Sequence, residues 1–528
     1  MGEKRPAVYV RAASGLIREI DPKGALMFNL MSMGLPFYFV YMYWATALYP
    51  GVNTLLSVVI GAATSLIITA LYALMCIAMP RTGGDYVWVS RILHPALGFM
   101  CNFYITFVLW TWIACGPWWT FANNICPSVA ALGAVTGNQK LIDLATTLGT
   151  PMHSFLLGVI LVIIYALMVM FMRTKTIFKI YWALCILTII GLVTFFIGIL
   201  CVGHAKFIDN FARYYGDPET IIAQAKELGA ELKFKMFPTV LGSLFVVQSL
   251  LGYNFQAYIA GEIREVKKSN LLAGFGSIII DSLVIAAIIA VTYYAMGSKL
   301  FMAIMYLVAH GQYIVPFEPT LNGLLSYGVP NVAFIILVLI GVQAAALCSN
   351  ICYFFLVIRN MFAWAFDRVI PSKISEVDSR FHQPYIAIIV TTILVIFFLA
   401  IWNFTTVFMY FVYANLGWFI ATAIVSIAGI VFPYRRKDLF ERAPEIVKAK
   451  VGGVPVISIV GVASLIVSLI TAYAVVWPAA AGMPVNPLFV AVVISVFVIS
   501  IVIYYASYFY HKSKGLPLDL VFAEIPPA

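Results

Sequence analysis

Two stretches of this chain place bare peptide chemistry where apolar side chains belong. Met31-Ser32-Met33-Gly34-Leu35-Pro36 interrupts a hydrophobic run over residues 24–48. Ser249-Leu250-Leu251-Gly252-Tyr253-Asn254-Phe255-Gln256 interrupts another over 237–261. Proline removes a backbone donor, and glycine leaves helical geometry cheaply. In hydrocarbon, an opened turn survives only where it is buried in protein or lines a polar cavity. Its freed N–H and C=O groups then suit a carboxylate and a cation. A mid-span glycine is also an ordinary helix-packing residue, but two breaks set five spans apart favour a binding role.

The elements that must position these breaks are membrane spans. The 528 residues are 63% hydrophobic and 10% charged, with a mean hydropathy of +0.99. A soluble chain is nearer 45–50% apolar and ~25% charged. Apolar runs of the length a bilayer demands fall at 24–48, 52–79, 96–124, 152–172, 177–202, 237–261, 271–296, 331–358, 384–402, 405–432, 454–476 and 487–510. The expectation is an all-α polytopic membrane protein of about twelve helices. Five spans per half make the two repeats inverted, with discontinuous helices one and six facing each other.

The chain therefore divides into a cytoplasmic segment (1–23), a first repeat (24–202), an extracellular loop (203–236), a second repeat (237–432), a cytoplasmic loop (433–453), two further helices (454–510) and a cytoplasmic tail (511–528). Within 203–236, Asp217-Pro218-Glu219 predicts a helix start and Gly229 its stop. The connection 297–330 is also sizeable.

With both termini in the cytoplasm, 25 of the 32 Lys and Arg fall on the inside and seven outside. That asymmetry sets orientation in a cell membrane, and the net charge of +10 then needs no nucleic acid. Met1–Lys23 holds five basic residues and no apolar core, unlike a signal peptide. The eight cysteines are scattered without a Cys-x-x-Cys, so neither a disulfide framework, a metal site nor a cofactor is predicted; Cys348 and Cys352 read as packing. No Gly-x-Ser-x-Gly, His-Glu-x-x-His or phosphate-binding loop is present, so no enzyme is expected. A channel would want a polar pore lining, which no span shows, and a ligand sensor would want a soluble output domain.

Several inner segments resemble the amino acid–polyamine–organocation (APC) superfamily. Pro80-Arg81-Thr82-Gly83-Gly84-Asp85-Tyr86 with Arg91 looks like the loop after helix two, and Gly261-Glu262-Ile263-Arg264 like the signature ending helix six. Arg359-Asn360-Met361 with Asp367-Arg368-Val369-Ile370-Pro371 is similar to the loop after helix eight. Gly515-Leu516-Pro517 with Glu524-Ile525-Pro526 resembles prokaryotic tails. The helix-one break differs from the superfamily's Gly-x-Gly, and the prolines that usually follow the helix-six signature are missing.

The resemblance implies a permease for amino acids or related amines, with ten core helices and two peripheral ones. It implies that Ser32, Met33 and Gly34 offer N–H groups to an α-carboxylate, while Leu251, Gly252 and Asn254 offer carbonyls and an amide to an α-ammonium. Trp112, Gln248, Gln343, Tyr410 and Tyr413 are candidates for the side-chain pocket. Aromatic sequence and the lack of deep Lys or Arg favour neutral or hydrophobic amino acids; a polyamine carrier or exchanger is the alternative.

For coupling by sodium or protons, the matching positions are Leu30, Ala345, Cys348 and Ser349. One hydroxyl and a thiol make a poor hard-cation site. Thr188 stands where some relatives place a coupling lysine. Asp281 is the acid deepest in a span, and an intramembrane carboxylate is a functional candidate by default.

Overall fold

The computed structural model describes residues 15–33, 45–312, 320–405, 414–477, 487–516 and 518–525. In chain order the helices are α1 (Pro22–Ser32), α2 (Thr54–Ala78), α3 (Asp85–Ile92), α4 (Pro95–Thr120), α5 (Cys126–Thr136), α6 (Gln139–Leu148), α7 (Pro151–Phe171), α8 (Thr174–Val202), α9 (His204–Tyr215), α10 (Pro218–Glu227), α11 (Met236–Ser249), α12 (Val266–Met296), α13 (Ser298–Ala309), α14 (Leu321–Gly328), α15 (Val332–Phe366), α16 (Tyr385–Phe404), α17 (Ala414–Arg435), α18 (Lys437–Glu441), α19 (Glu445–Lys448), α20 (Val456–Val476), α21 (Pro487–Ser513) and α22 (Leu518–Ala523). The chain is an all-α, multi-pass membrane protein. Among the described residues, ten helical segments are long and apolar enough to cross a membrane.

Their ends follow local chemistry. Asp21 caps α1 by accepting from Gly24 N (2.9 Å), with Pro22 in the first turn. Asn53 and Asn331 cap α2 and α15 in the same way. The start predicted at Asp217 is found: its carboxylate accepts from Thr220 N at 2.9 Å and opens α10. Those hydrogen bonds hold the Asp217 carboxyl below its usual range.

Burial sorts core from periphery. Over its most apolar stretch α4 is 83% buried, whereas α8, α16 and α21 are 28% buried and turn Ile, Leu and Val outward. The pairings are those of an inverted repeat. Span one (α1) packs on span seven (α12) as span six (α11) packs on span two (α2). Span three (α4) packs on span ten (α17) as span eight (α15) packs on span five (α8), and spans four and nine (α7, α16) pair with each other. The α8–α15 contact is backbone on backbone: a Cβ built on Gly191 would lie 2.6 Å from Gly341 Cα, and the reverse distance is the same. Of the last two helices, α20 lies on α17, where Ser426 and Ser464 hydroxyls meet at 2.8 Å, and α21 lies on α4.

Two span ends differ from expectation. The third span does not stop near residue 124; α4 passes through a π turn (Phe121–Ile125) into α5, giving one 42-residue element. Small residues in the extension, Ala130 and Ala131, are buried, and α5 folds against α6. The eighth span does not stop at 358 either. Polar Arg359 and Asn360 are buried in protein rather than facing water, so α15 continues to Phe366.

A candidate solute site where two opened spans meet

Helix α1 ends at Ser32, with Met33 as its cap. Span six opens at Leu250 after the 14 residues of α11. Beyond it the chain runs through turns and two single 3₁₀ turns, Phe255–Ala257 and Ala260–Glu262, with no further α-helix before Val266. The two openings touch. Gly252 has φ +131°, and a Cβ there would lie 3.0 Å from Ser32 Oγ and Met33 Cγ and 3.2 Å from Met33 N. Only glycine fits that backbone at that separation.

Asn29 clasps the two. Its Nδ2 donates to Tyr253 O (2.7 Å), Gln256 Oε1 (2.6 Å) and Ala273 O (3.2 Å), and its Oδ1 accepts from Gln256 N (3.0 Å). One buried amide thus replaces helical partners that the opened turn has lost. Asn29→Ala leaves these groups unsatisfied and is expected to cost about 1–3 kcal/mol. Thermal unfolding of the purified protein measures it; an unchanged midpoint would remove Asn29 from that role.

Span eight covers the end of α1. Ser349 Oγ donates to Met31 O and Tyr353 OH to Ser32 O, each at 2.6 Å. Tyr353 also joins an aromatic wall. Trp112 stacks on Trp418 (centroids 5.6 Å, 11°) and leans on Tyr353 (5.4 Å), while Phe255 closes the ring against Tyr353 (6.0 Å) and Trp418 (6.1 Å). Asn254 is 1% exposed, and its Oδ1 has no hydrogen-bond partner among the described residues. Neither Met31–Pro36 nor Ser249–Gln256 carries an acidic or basic residue.

A family model described as amino acid permease matches residues 25–503. The chain belongs to that family, within the APC superfamily. It is also 23% identical over 268 residues to Uncharacterized protein 399 of Sulfolobus islandicus rod-shaped virus 1. That match covers 51% of this chain and 54% of the viral protein, so the chain spans about half the length of that relative. The family is one of membrane permeases.

Within the permease the predicted site residues separate into groups. Ser32, Met33, Leu251, Gly252 and Asn254 come together at the openings, with Trp112 in the aromatic wall and Gln248 buried on the last turn of α11. One expectation is corrected. The Met33 N–H is not open to a carboxylate, because it donates to Asn29 O at 3.0 Å as the last bond of α1. What α1 presents is its carbonyl end. Gln343 stands apart, with Nε2 3.5 Å from Thr120 O. Gly34, Tyr410 and Tyr413 lie outside the described residues.

Of the coupling positions, Ser349 reaches α1, and Ala345 is buried one turn before it. Leu30 is half-buried on α1. Cys348 lies within electrostatic reach of Cys185 and Cys352, and Thr188 donates to its own helix at Leu184 O. Sequence reading missed Asn29, Phe255, Tyr353 and Trp418. Asn29 carried a usable signal, as an amide one turn before the break in an apolar run.

The loop motifs converge on one face of the bundle, around the irregular half of span six. Gly83 N donates to Tyr258 O (2.9 Å), and Asp85 accepts from Asn102 (2.7 Å) and Tyr258 OH (2.8 Å). Burial pushes the Asp85 carboxyl up to about 6, against the pull of those hydrogen bonds. Glu262 O accepts from Glu19 N (3.1 Å) and Ile20 N (3.0 Å), and Arg264 N donates to Ile20 O (2.8 Å).

Two buried ion pairs stand at the same face, Arg359 with Glu262 (2.7 Å) and Arg91 with Asp367 (2.6 Å). Tyr86 is buried beside the second pair, and Pro80 O accepts from Arg81. Arg368 O accepts from Ser507 and His511 of α21. Arg91 also donates to Glu524 O (3.3 Å) and sits over the Phe522 ring, so the tail helix α22 closes on the same cluster.

Proposed function

We propose that this permease moves neutral, mainly hydrophobic amino acids across the cell membrane by alternating access, with both termini in the cytoplasm. The observation that carries this reading is the contact between Gly252 and Ser32–Met33, two opened spans meeting without fixed charge beside an aromatic wall. A zwitterion has no net charge, and peptide groups at helix ends match its two poles. The unpartnered Asn254 Oδ1, beside the negative helix end of α1, serves the ammonium. The carboxylate is assigned, from the sequence, to peptide N–H groups at Gly34. Trp112, Phe255, Tyr353 and Trp418 then receive an apolar side chain. A polyamine would want free carboxylates at the openings; Met31–Pro36 and Ser249–Gln256 supply none, and Glu262 is engaged by Arg359.

The same geometry favours coupling without sodium. A bound sodium ion needs unencumbered oxygens, by the logic of other hard cations. Here the Met31 and Ser32 carbonyls already accept hydroxyl hydrogen bonds at 2.6 Å.

The test is uptake into proteoliposomes across the amino acid set, with sodium or with choline in its place. The expected result is uptake of apolar amino acids at rates equal in the two salts. Failure of every amino acid to enter or compete overturns the transport reading, and a requirement for sodium overturns the coupling one.

A further inference from the structure

We propose that Asp281 is the proton-binding group through which a proton gradient drives solute uptake, an inference that rests on the transport reading above. Asp281 is the central residue of the 31-residue α12 and is 0% exposed. Neither carboxylate oxygen has a hydrogen-bond partner, and no ion pair reaches it, among the described residues. Buried Ile278 and Ile285 flank it one turn to either side. The other buried acids among the described residues all have partners: Glu262 has Arg359, Asp367 has Arg91, and Asp85 has Asn102 and Tyr258.

The groups packed against α12 do not serve it. On α8, Cys185 is the titratable group within electrostatic reach, and Tyr181 lies instead by Cys348 and Cys352. On α2, Cys76 lies beside Asn270, eleven residues before Asp281, and Tyr72 lies by Asp85. On α9, His204 bonds Ala295 O, fourteen residues beyond. At 1.5 Å per residue these lie about 16 and 21 Å along the helix. Lys23 sits in the first turn of α1, and Lys299 of α13 is exposed past the end of α12. The 3₁₀ turn Phe255–Ala257 has no titratable residue.

A dry interior does not hold an ionised carboxyl that lacks both donor and counter-ion; the group binds a proton instead. Ala273, eight residues or about 12 Å before Asp281 on the same helix, accepts at its carbonyl from Asn29 at 3.2 Å. The helix that carries the carboxyl is thus the one that packs on α1 and receives Asn29 near its opened end. In a state open to water, the carboxylate takes a proton from water and an O–H bond forms. In the closed passage it crosses neutral. Opening to the other side breaks the O–H bond and returns the proton to water, giving one proton per cycle.

The test uses the full-length protein in proteoliposomes. A pH gradient of one unit is expected to drive about tenfold accumulation in the wild type, the equivalent of one proton per solute. Asp281→Asn is expected to keep solute exchange at equal pH and to lose gradient-driven accumulation. A variant that accumulates like wild type, or a wild type that exchanges solute but ignores the gradient, overturns the proposal. A wild type that moves no amino acid overturns the transport reading instead. Should Asp281→Asn fail to fold, infrared difference spectra on adding solute decide the matter. A protonated-carboxyl C=O band that Asp281→Glu shifts supports the assignment, and a band indifferent to that change overturns it.

Discussion

Gly252→Val is expected to abolish solute binding while leaving the bundle folded. At φ +131° a β-branched residue sits outside its allowed backbone regions, at a cost of about 1–3 kcal/mol. Its Cβ would also press Ser32 Oγ and Met33 Cγ at 3.0 Å and Met33 N at 3.2 Å, and overpacking of that kind costs about 1–3 kcal/mol more. The relief lies in moving the two opened spans apart, which displaces the peptide groups that hold the solute. A displacement of about 1 Å takes a hydrogen bond of roughly 2.9 Å out of bonding range. Equilibrium binding of a radiolabelled amino acid, with size exclusion to confirm the fold, measures it. Gly276→Ala is the comparison: its Cβ would meet the movable Leu26 Cδ1 at 3.3 Å, and binding should persist. Wild-type affinity in Gly252→Val would dismiss the openings as the site.

Breaking the Arg359–Glu262 pair should produce the largest loss of stability. Both side chains are at most 1% exposed, and the pair is bidentate, Nε to Oε1 at 2.7 Å and Nη2 to Oε2 at 3.0 Å. Arg359 Nη1 also donates to Gln383 Oε1 (2.8 Å), and Glu262 Oε2 accepts from Thr174 (3.0 Å). Removing one partner strands a buried charge, at a cost of about 3–5 kcal/mol, whereas replacing both with apolar residues can be close to neutral. Arg359→Met should therefore melt well below wild type, and Arg359→Met with Glu262→Leu should recover most of the difference. Thermal unfolding at a fixed scan rate resolves the three proteins. A double variant no better than the single one would show that the charge was not the cost.

The spans were legible because lipid asks for one simple thing, an unbroken apolar run. Legibility failed where protein, not lipid, surrounds the helix. Arg359 read as an inner end, yet α15 runs past it because Glu262, Gln383 and the Phe355 ring receive its guanidinium. Both openings could be read from glycine and proline chemistry. The loss of α-helix through the inner half of span six could not. There, Tyr253 O goes to Asn29, Tyr258 O to Gly83 N, and Glu262 O to Glu19 and Ile20 N. Those partners come from segments more than a hundred residues away, so no local pattern announces them. Asp281 was visible as an isolated acid, but whether it had a partner was a question of distance.

The Gly191–Gly341 contact has a mechanical consequence. Two backbones with nothing between them can swivel about that spot at small cost, because no side chain must be dragged through a neighbour. Sliding lengthwise is another matter: the carbonyls of Leu337 and Leu187 already crowd the spot, 3.2 and 3.3 Å from where a Cβ would stand. Spans five and eight thus meet backbone to backbone, and a side chain at either glycine would have to force them apart.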